Sequence, residues 1–101
     1  MRKRFVIALG STTKEQNDAF REYLNKIAPG RWWHWIQDLW LIVDPNGELN
    51  ATSLREKASE YYPAVTCLVL EIGHDDDTWA GFGPAASGKS MFPWLEKHWD
   101  R

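Results

Sequence analysis

Residues 31–44 read RWWHWIQDLWLIVD and hold four of the chain's seven tryptophans. Two apolar runs, residues 32–36 and 39–43, are rich in the aromatic and β-branched types that suit strands, and Ile36-Gln37-Asp38 supplies a tight turn between them. The stretch is predicted to be a β-hairpin. Strict alternation puts Trp33 and Trp35 on one face and Trp32, His34 and Ile36 on the other; Trp40 and Ile42 likewise oppose Leu39, Leu41 and Val43. Both faces are therefore apolar. A sheet built on this hairpin needs cover on two sides, because an uncovered apolar face of that size is a binding surface or an aggregation hazard.

The flanking chain supplies the elements for such a sheet. Residues 5–9 are an uninterrupted apolar run between Arg4 and Gly10, the pattern of a central strand. Ser11-Thr12-Thr13 offers helix-capping hydroxyls, and Glu15 stands in capping-box register with Thr12. Ala19, Phe20, Tyr23, Leu24 and Ile27 then follow at helical spacing, with Arg21, Glu22, Asn25 and Lys26 on the other side, until Pro29-Gly30 stops the helix. Beyond the hairpin, Asp44-Pro45-Asn46-Gly47 turns the chain, with Gly47 suited to positive φ. Asn50 caps a second helix, with Leu49 and Leu54 as a hydrophobic staple. Leu54, Ala58 and Tyr61 mark its buried stripe, Tyr62-Pro63 closes it, and residues 65–72 form a fourth strand.

The order strand, helix, strand, strand, helix, strand is the split βαβ arrangement of an α+β, ferredoxin-like βαββαβ fold: a four-stranded antiparallel sheet with two helices on one face. The core is expected over residues 1–73 of a single domain spanning 1–101. Residues 74–101 form a C-terminal loop, an aromatic segment (Trp79-Ala80-Gly81-Phe82) and a short amphipathic helix over 91–99 presenting Phe92, Leu95 and Trp99. This tail is the first candidate cover for the open face; a second copy of the chain is the other.

Charge excludes some partners. Twelve basic against fourteen acidic residues leave a net charge of −2, so no overall positive field draws the chain to nucleic acid or an anionic membrane. The single cysteine, Cys67, precludes an intramolecular disulfide and suits a reducing compartment, where it reads as a small buried hydrophobe. The opening MRKRFVIALG has the basic start of a signal peptide, but its apolar run is too short and lacks a small-residue cleavage site. No stretch approaches the roughly 20 apolar residues of a membrane span. A cytoplasmic protein with no membrane association is expected.

The succession WWHW, LWLIVD, a helix carrying Leu54-Arg55, LVLEIG, WAGFGP and PWLEKHW resembles the small bacterial proteins labelled SinR-like over roughly residues 30–99. These are related in fold to the small CRISPR spacer-acquisition subunit and to VapD-type ribonucleases. The resemblance implies a ferredoxin-like fold and a homodimer. Its catalytic relatives carry an aspartate at the end of the first strand to hold metal ions for phosphodiester hydrolysis. Ala8-Leu9-Gly10 stands there instead, which removes the residue on which a metal-dependent nuclease would rest.

The remaining motifs are weak as chemistry. Residues 83–90 fit the phosphate-loop string GxxxxGKS, but a working loop follows a parallel strand directly and needs a later strand for its metal-binding aspartate. Gly88, Lys89 and Ser90 are kept as an anion contact only. His74-Asp75-Asp76-Asp77 reads as a solvated loop, since adjacent residues rarely converge on one ion. His34 has no Ser, Cys or acid beside it in fixed register and reads as a partly buried structural histidine; His98 reads as solvent-facing. No catalytic residue, metal or cofactor is expected. The functional expectation is a small non-enzymatic binding or interaction protein, homodimeric, with Arg31, Trp33, His34, Trp35, Trp79 and Phe82 as ligand or partner contacts. The alternative is a nucleic-acid or nucleotide binder that stacks bases on the tryptophans.

Overall fold

The computed structural model describes residues 2–73 and 93–99. Its elements run β1 (Lys3–Leu9), α1 (Lys14–Ile27), β2 (Trp32–Ile36), β3 (Leu39–Asp44), α2 (Ala51–Tyr61) and β4 (Cys67–Ile72), followed by a π-helical turn at Leu95–Trp99. The four strands form one antiparallel sheet in the order β2-β3-β1-β4. Order and connectivity are those of the ferredoxin-like fold, with β1 inside the sheet as its unbroken apolar run requires.

Local chemistry sets the helix ends. Asn50 caps α2 as expected: its side chain accepts from Ser53 N at 2.8 Å, and Ser53 Oγ accepts from Asn50 N at 3.3 Å. At α1 the capping box lies one residue later than the Thr12–Glu15 register. Thr13 is the cap, accepting from Gln16 N at 3.2 Å while Gln16 Oε1 accepts from Thr13 N at 3.0 Å. Thr12 is buried instead, and its hydroxyl donates to Asp38 Oδ1 at 2.7 Å. With Leu9 N donating to Asp38 O at 2.8 Å, the β2–β3 turn at Gln37 and Asp38 is tied to the β1–α1 junction. Gly47 takes φ +70° in the turn after β3, as Asn46-Gly47 foretold. The fourth strand begins at Cys67 rather than Val65, because Pro63 and Ala64, the latter at φ +63°, still turn the chain.

The helix-covered face holds the main core. Phe5, Ile7, Phe20, Leu24, Trp40, Ile42 and Ala58 are all fully shielded, and Leu54 and Tyr62 nearly so. Phe20 meets Trp40 edge-on at 5.3 Å and Tyr62 at 5.4 Å, geometries in which ring edges face the negative π cloud. Two stripe residues depart from expectation. Ile27 ends α1 40% exposed, and Tyr61 is only partly buried while Tyr62 takes the deep position.

Through this core runs a polar chain. Trp40 Nε1 donates to Tyr62 Oη at 3.2 Å, Tyr62 Oη donates to Asn17 Oδ1 at 2.7 Å, and Asn17 Nδ2 donates to Thr12 Oγ1 at 2.9 Å. Each of these three buried donors thereby has a partner, which removes a desolvation cost of about 1–3 kcal/mol per group. Burial pushes the Tyr62 hydroxyl up to about 12.

The other face is covered in part by the turn near the end of the chain, the first of the two covers expected. Trp33, Val43, Leu95 and Trp99 form a second buried cluster, with Val6, Leu39, Leu41, Ile72 and Trp94 against it. Arg4 lies 2% exposed beneath it, its guanidinium 5.3 Å from the Trp99 ring centroid and donating to the Gly73 and Trp99 carbonyls. Arg2 donates to the carbonyls of His98 and Trp99. The two arginines hold the carbonyl end of the turn, where cations are favoured. The expected start of this helix at Met91 and Phe92 lies outside the described residues.

Candidate functional site

Between β2 and β3 the pairing shifts: Trp33 faces Leu41, yet Ile36 faces Leu39, so β2 carries one residue more than β3 over this span. Such a bulge bends an edge strand and re-aims the side chains at it. Strict alternation across residues 32–36 therefore fails, and the two tryptophans expected to share a face have different fates. Trp33 is 5% exposed, inside the cluster with Leu95 and Trp99, whereas Trp35 is 46% exposed at the sheet edge.

His34 lies flat on Trp40, with centroids 3.7 Å apart and planes 7° from parallel. Its Nδ1 is 3.0 Å from Leu39 O; a carbonyl only accepts, so Nδ1 carries the proton and Nε2 keeps its lone pair. Burial holds the imidazole below its ordinary pKa, and the Leu39 carbonyl only partly offsets this. The ring is accordingly neutral at pH 7.

Two adjoining clefts open here and share Arg21, His34 and Trp35. One, of about 310 Å³, is also lined by Trp32, Trp33 and Trp94. The other, of about 540 Å³, is also lined by Lys14, Asn17, Asp18 and Gln37. Lys14, Asp18 and Arg21 reach it from one face of α1, at helical spacing. Asp18 bridges the cations, with Oδ2 2.7 Å from Lys14 Nζ and Oδ1 2.9 Å from Arg21 Nη1. The hydrogen bond with Lys14 draws the Asp18 carboxyl below its usual range and raises the lysine. The Arg21 guanidinium also stands 5.8 Å from the Trp32 ring centroid. One positive charge remains in excess beside four indoles, of which Trp32 and Trp94 are fixed by hydrogen bonds: Trp32 Nε1 to Asn25 Oδ1 at 2.9 Å and Trp94 Nε1 to Gly30 O at 3.0 Å.

Of the residues singled out in the sequence, His34 and Trp35 line both clefts and Trp33 lines one from beneath. Arg31 is drawn elsewhere, its Nη1 3.0 Å from His98 Nδ1. The arginine can only donate, so His98 is neutral with Nδ1 accepting, and burial with the nearby cations lowers its pKa. His98 is thus a half-buried link to the terminal turn rather than a solvent-facing residue. Trp79, Phe82, Gly88, Lys89, Ser90 and the loop beginning at His74 lie outside the described residues. The sequence reading missed Arg21, Lys14, Trp32 and Trp94 as cleft residues. A signal for the first two was present: Lys14, Asp18 and Arg21 repeat at four and three residues on the polar side of α1.

Among the described residues, no group of three His, Cys, Asp or Glu side chains is placed to hold a metal ion. No helix among them is long and apolar enough to cross a membrane. No family model, no curated protein and no solved structure matches the chain.

Proposed function

We propose that the chain is a non-enzymatic binding domain, homodimeric, which takes a flat aromatic ligand bearing an anionic group, a nucleotide or the exposed base of a single strand, in the cleft between β2 and α1. The observation that carries this reading is the exposed Trp35 ring beside Arg21 and a neutral His34 on a rigid sheet edge. An indole offers a stacking face of about 1–3 kcal/mol per base, Arg21 can meet a phosphate, and Nε2 of His34 accepts a hydrogen bond from a base edge. With a net charge of −2 and a single excess cation in the cleft, a ligand of one or two phosphates suits it better than a long polyanion. Membership of the SinR-like group is part of the same proposal and rests on motif order alone.

Tryptophan emission of the full chain, titrated with AMP, ATP and short single strands, tests it. Saturable quenching is expected, abolished by Trp35→Ala and weakened about tenfold by Arg21→Ala, which removes one charge-assisted contact. Emission unchanged by every ligand overturns the proposal, and quenching that survives Trp35→Ala moves the site elsewhere.

A further inference from the structure

Among the described residues, β4 is an outer strand that pairs with β1 alone. Gly10 N donates to Thr66 O at 2.8 Å, one step beyond the Leu9–Cys67 pair, which puts residues 10 and 66 in hydrogen-bonded register. In an antiparallel ladder such pairs alternate with non-bonded ones. Ala8–Leu68, Val6–Leu70 and Arg4–Ile72 are then bonded pairs, and the N–H and C=O groups of Cys67, Val69 and Glu71 point away from the sheet. Among the described residues this edge has no bulge, no proline and no lysine, and Glu71 is its one charged residue. It also exposes apolar surface, with Leu68 55% and Leu70 47% accessible on the face opposite the helices. The opposite edge, β2, differs in having a bulge and bulky indoles.

We propose that β4 is the dimer interface, pairing antiparallel with β4 of a second copy about a two-fold axis at Val69 to give one continuous eight-stranded sheet. The inference rests on the homodimeric part of the function proposed above and supplies its surface. The register is set by the edge itself. Centring on Val69 matches Cys67 of one copy with Glu71 of the other, Val69 with Val69, and Glu71 with Cys67, so each outward backbone group in these residues meets a partner. Leu68 of each copy then lies beside Leu70 of the other, and four half-exposed leucines close into one apolar patch.

Charge complementarity selects a second copy over an arbitrary strand. Arg55 on α2 lies close enough to Cys67 for its positive charge to act on the thiol. In the proposed register Glu71 of one copy arrives beside Cys67 of the other, on the helix side where Arg55 stands. The pairing thus brings Glu71 of each copy toward Arg55 of the other, once at each end.

The test is the solution mass of the full chain across a dilution series, by sedimentation, with circular dichroism as a check on folding. The wild type is expected at twice the chain mass. Leu68→Lys with Leu70→Lys places charge on the edge and is expected to weaken the dimer about a hundredfold or more. Arg55→Glu or Glu71→Arg alone is expected to weaken it about tenfold by setting like charges together, and the double reversal to restore most of the loss. These side chains are exposed, so the monomer fold should persist; the charge reversals decide the question if the lysine variant does not fold. A wild-type dimer indifferent to all these variants overturns the β4 interface and leaves the homodimer intact. A monomeric wild type overturns both.

Discussion

On the helix side of the sheet, Phe5, Ile7, Trp40 and Ile42 have no solvent exposure beneath helices of 14 and 11 residues. On the other side a five-residue turn covers Trp33 and Val43 but leaves Leu68 and Leu70 about half accessible on β4. The strands carry apolar residues toward both sides; among the described residues, the difference lies in what is laid on them. A long amphipathic helix covers a sheet across its strands, whereas a single turn held by Arg2 and Arg4 shields one part of it. Surface left uncovered in this way is where a fold of this size can still make contacts.

Equilibrium unfolding of single variants should expose that asymmetry. Trp40→Ala opens a cavity in the sealed face and is expected to cost about 3–5 kcal/mol; Leu95→Ala on the lightly covered face should cost less, about 2–3 kcal/mol. Equal losses would mean that the terminal turn is as integral to the core as the helices. Next comes Tyr62→Phe, which strips the hydroxyl shared by Trp40 Nε1 and Asn17 Oδ1 and should cost about 1–3 kcal/mol.

The same tyrosine gives the helix face an alkaline limit. Its pKa, raised from 10 to about 12, means that the unfolded chain loses the proton first as pH rises. The stabilising contribution is full below pH 10 and is lost between about pH 10 and 12, amounting to about 2–3 kcal/mol in all. A melting-temperature series of wild type against Tyr62→Phe checks this, since the variant lacks the titrating group. His34 gives an acid counterpart with the opposite sign. Its folded pKa is depressed by burial, so its contribution is present above the unfolded value of 6.5 and is lost as pH falls through the folded one. A smaller decline in stability below pH 6.5, absent in His34→Gln, is the expected result. The smallest effect belongs to the sheet edge: Trp35→Ala should change stability by less than about 0.5 kcal/mol, as for most exposed positions. A large loss there would show that the ring supports the fold rather than standing ready for a ligand.

Much of the architecture was legible without coordinates because its signals are local. The unbroken run in β1, the apolar spacing of Phe20 and Leu24, the Asn50 cap and the Asn46-Gly47 turn each depend on neighbours within a few residues. The site was legible only in part. His34 and Trp35 stood out by type, but nothing nearby reveals that a bulge parts Trp35 from Trp33, or that Arg21 of α1 faces β2.

By itself, the sequence determined the order of strands and helices and an apolar demand on both sides of the sheet, since periodicity and turn chemistry are properties of adjacent residues. Tertiary structure decided how that demand was met. Trp33 is buried against Leu95 and Trp99, more than sixty residues away, and Thr12 leaves helix capping to Thr13 because Asp38 offers its hydroxyl a buried partner. Such outcomes depend on which distant groups compete for the same side chain, and that competition exists only once the sheet has brought them together.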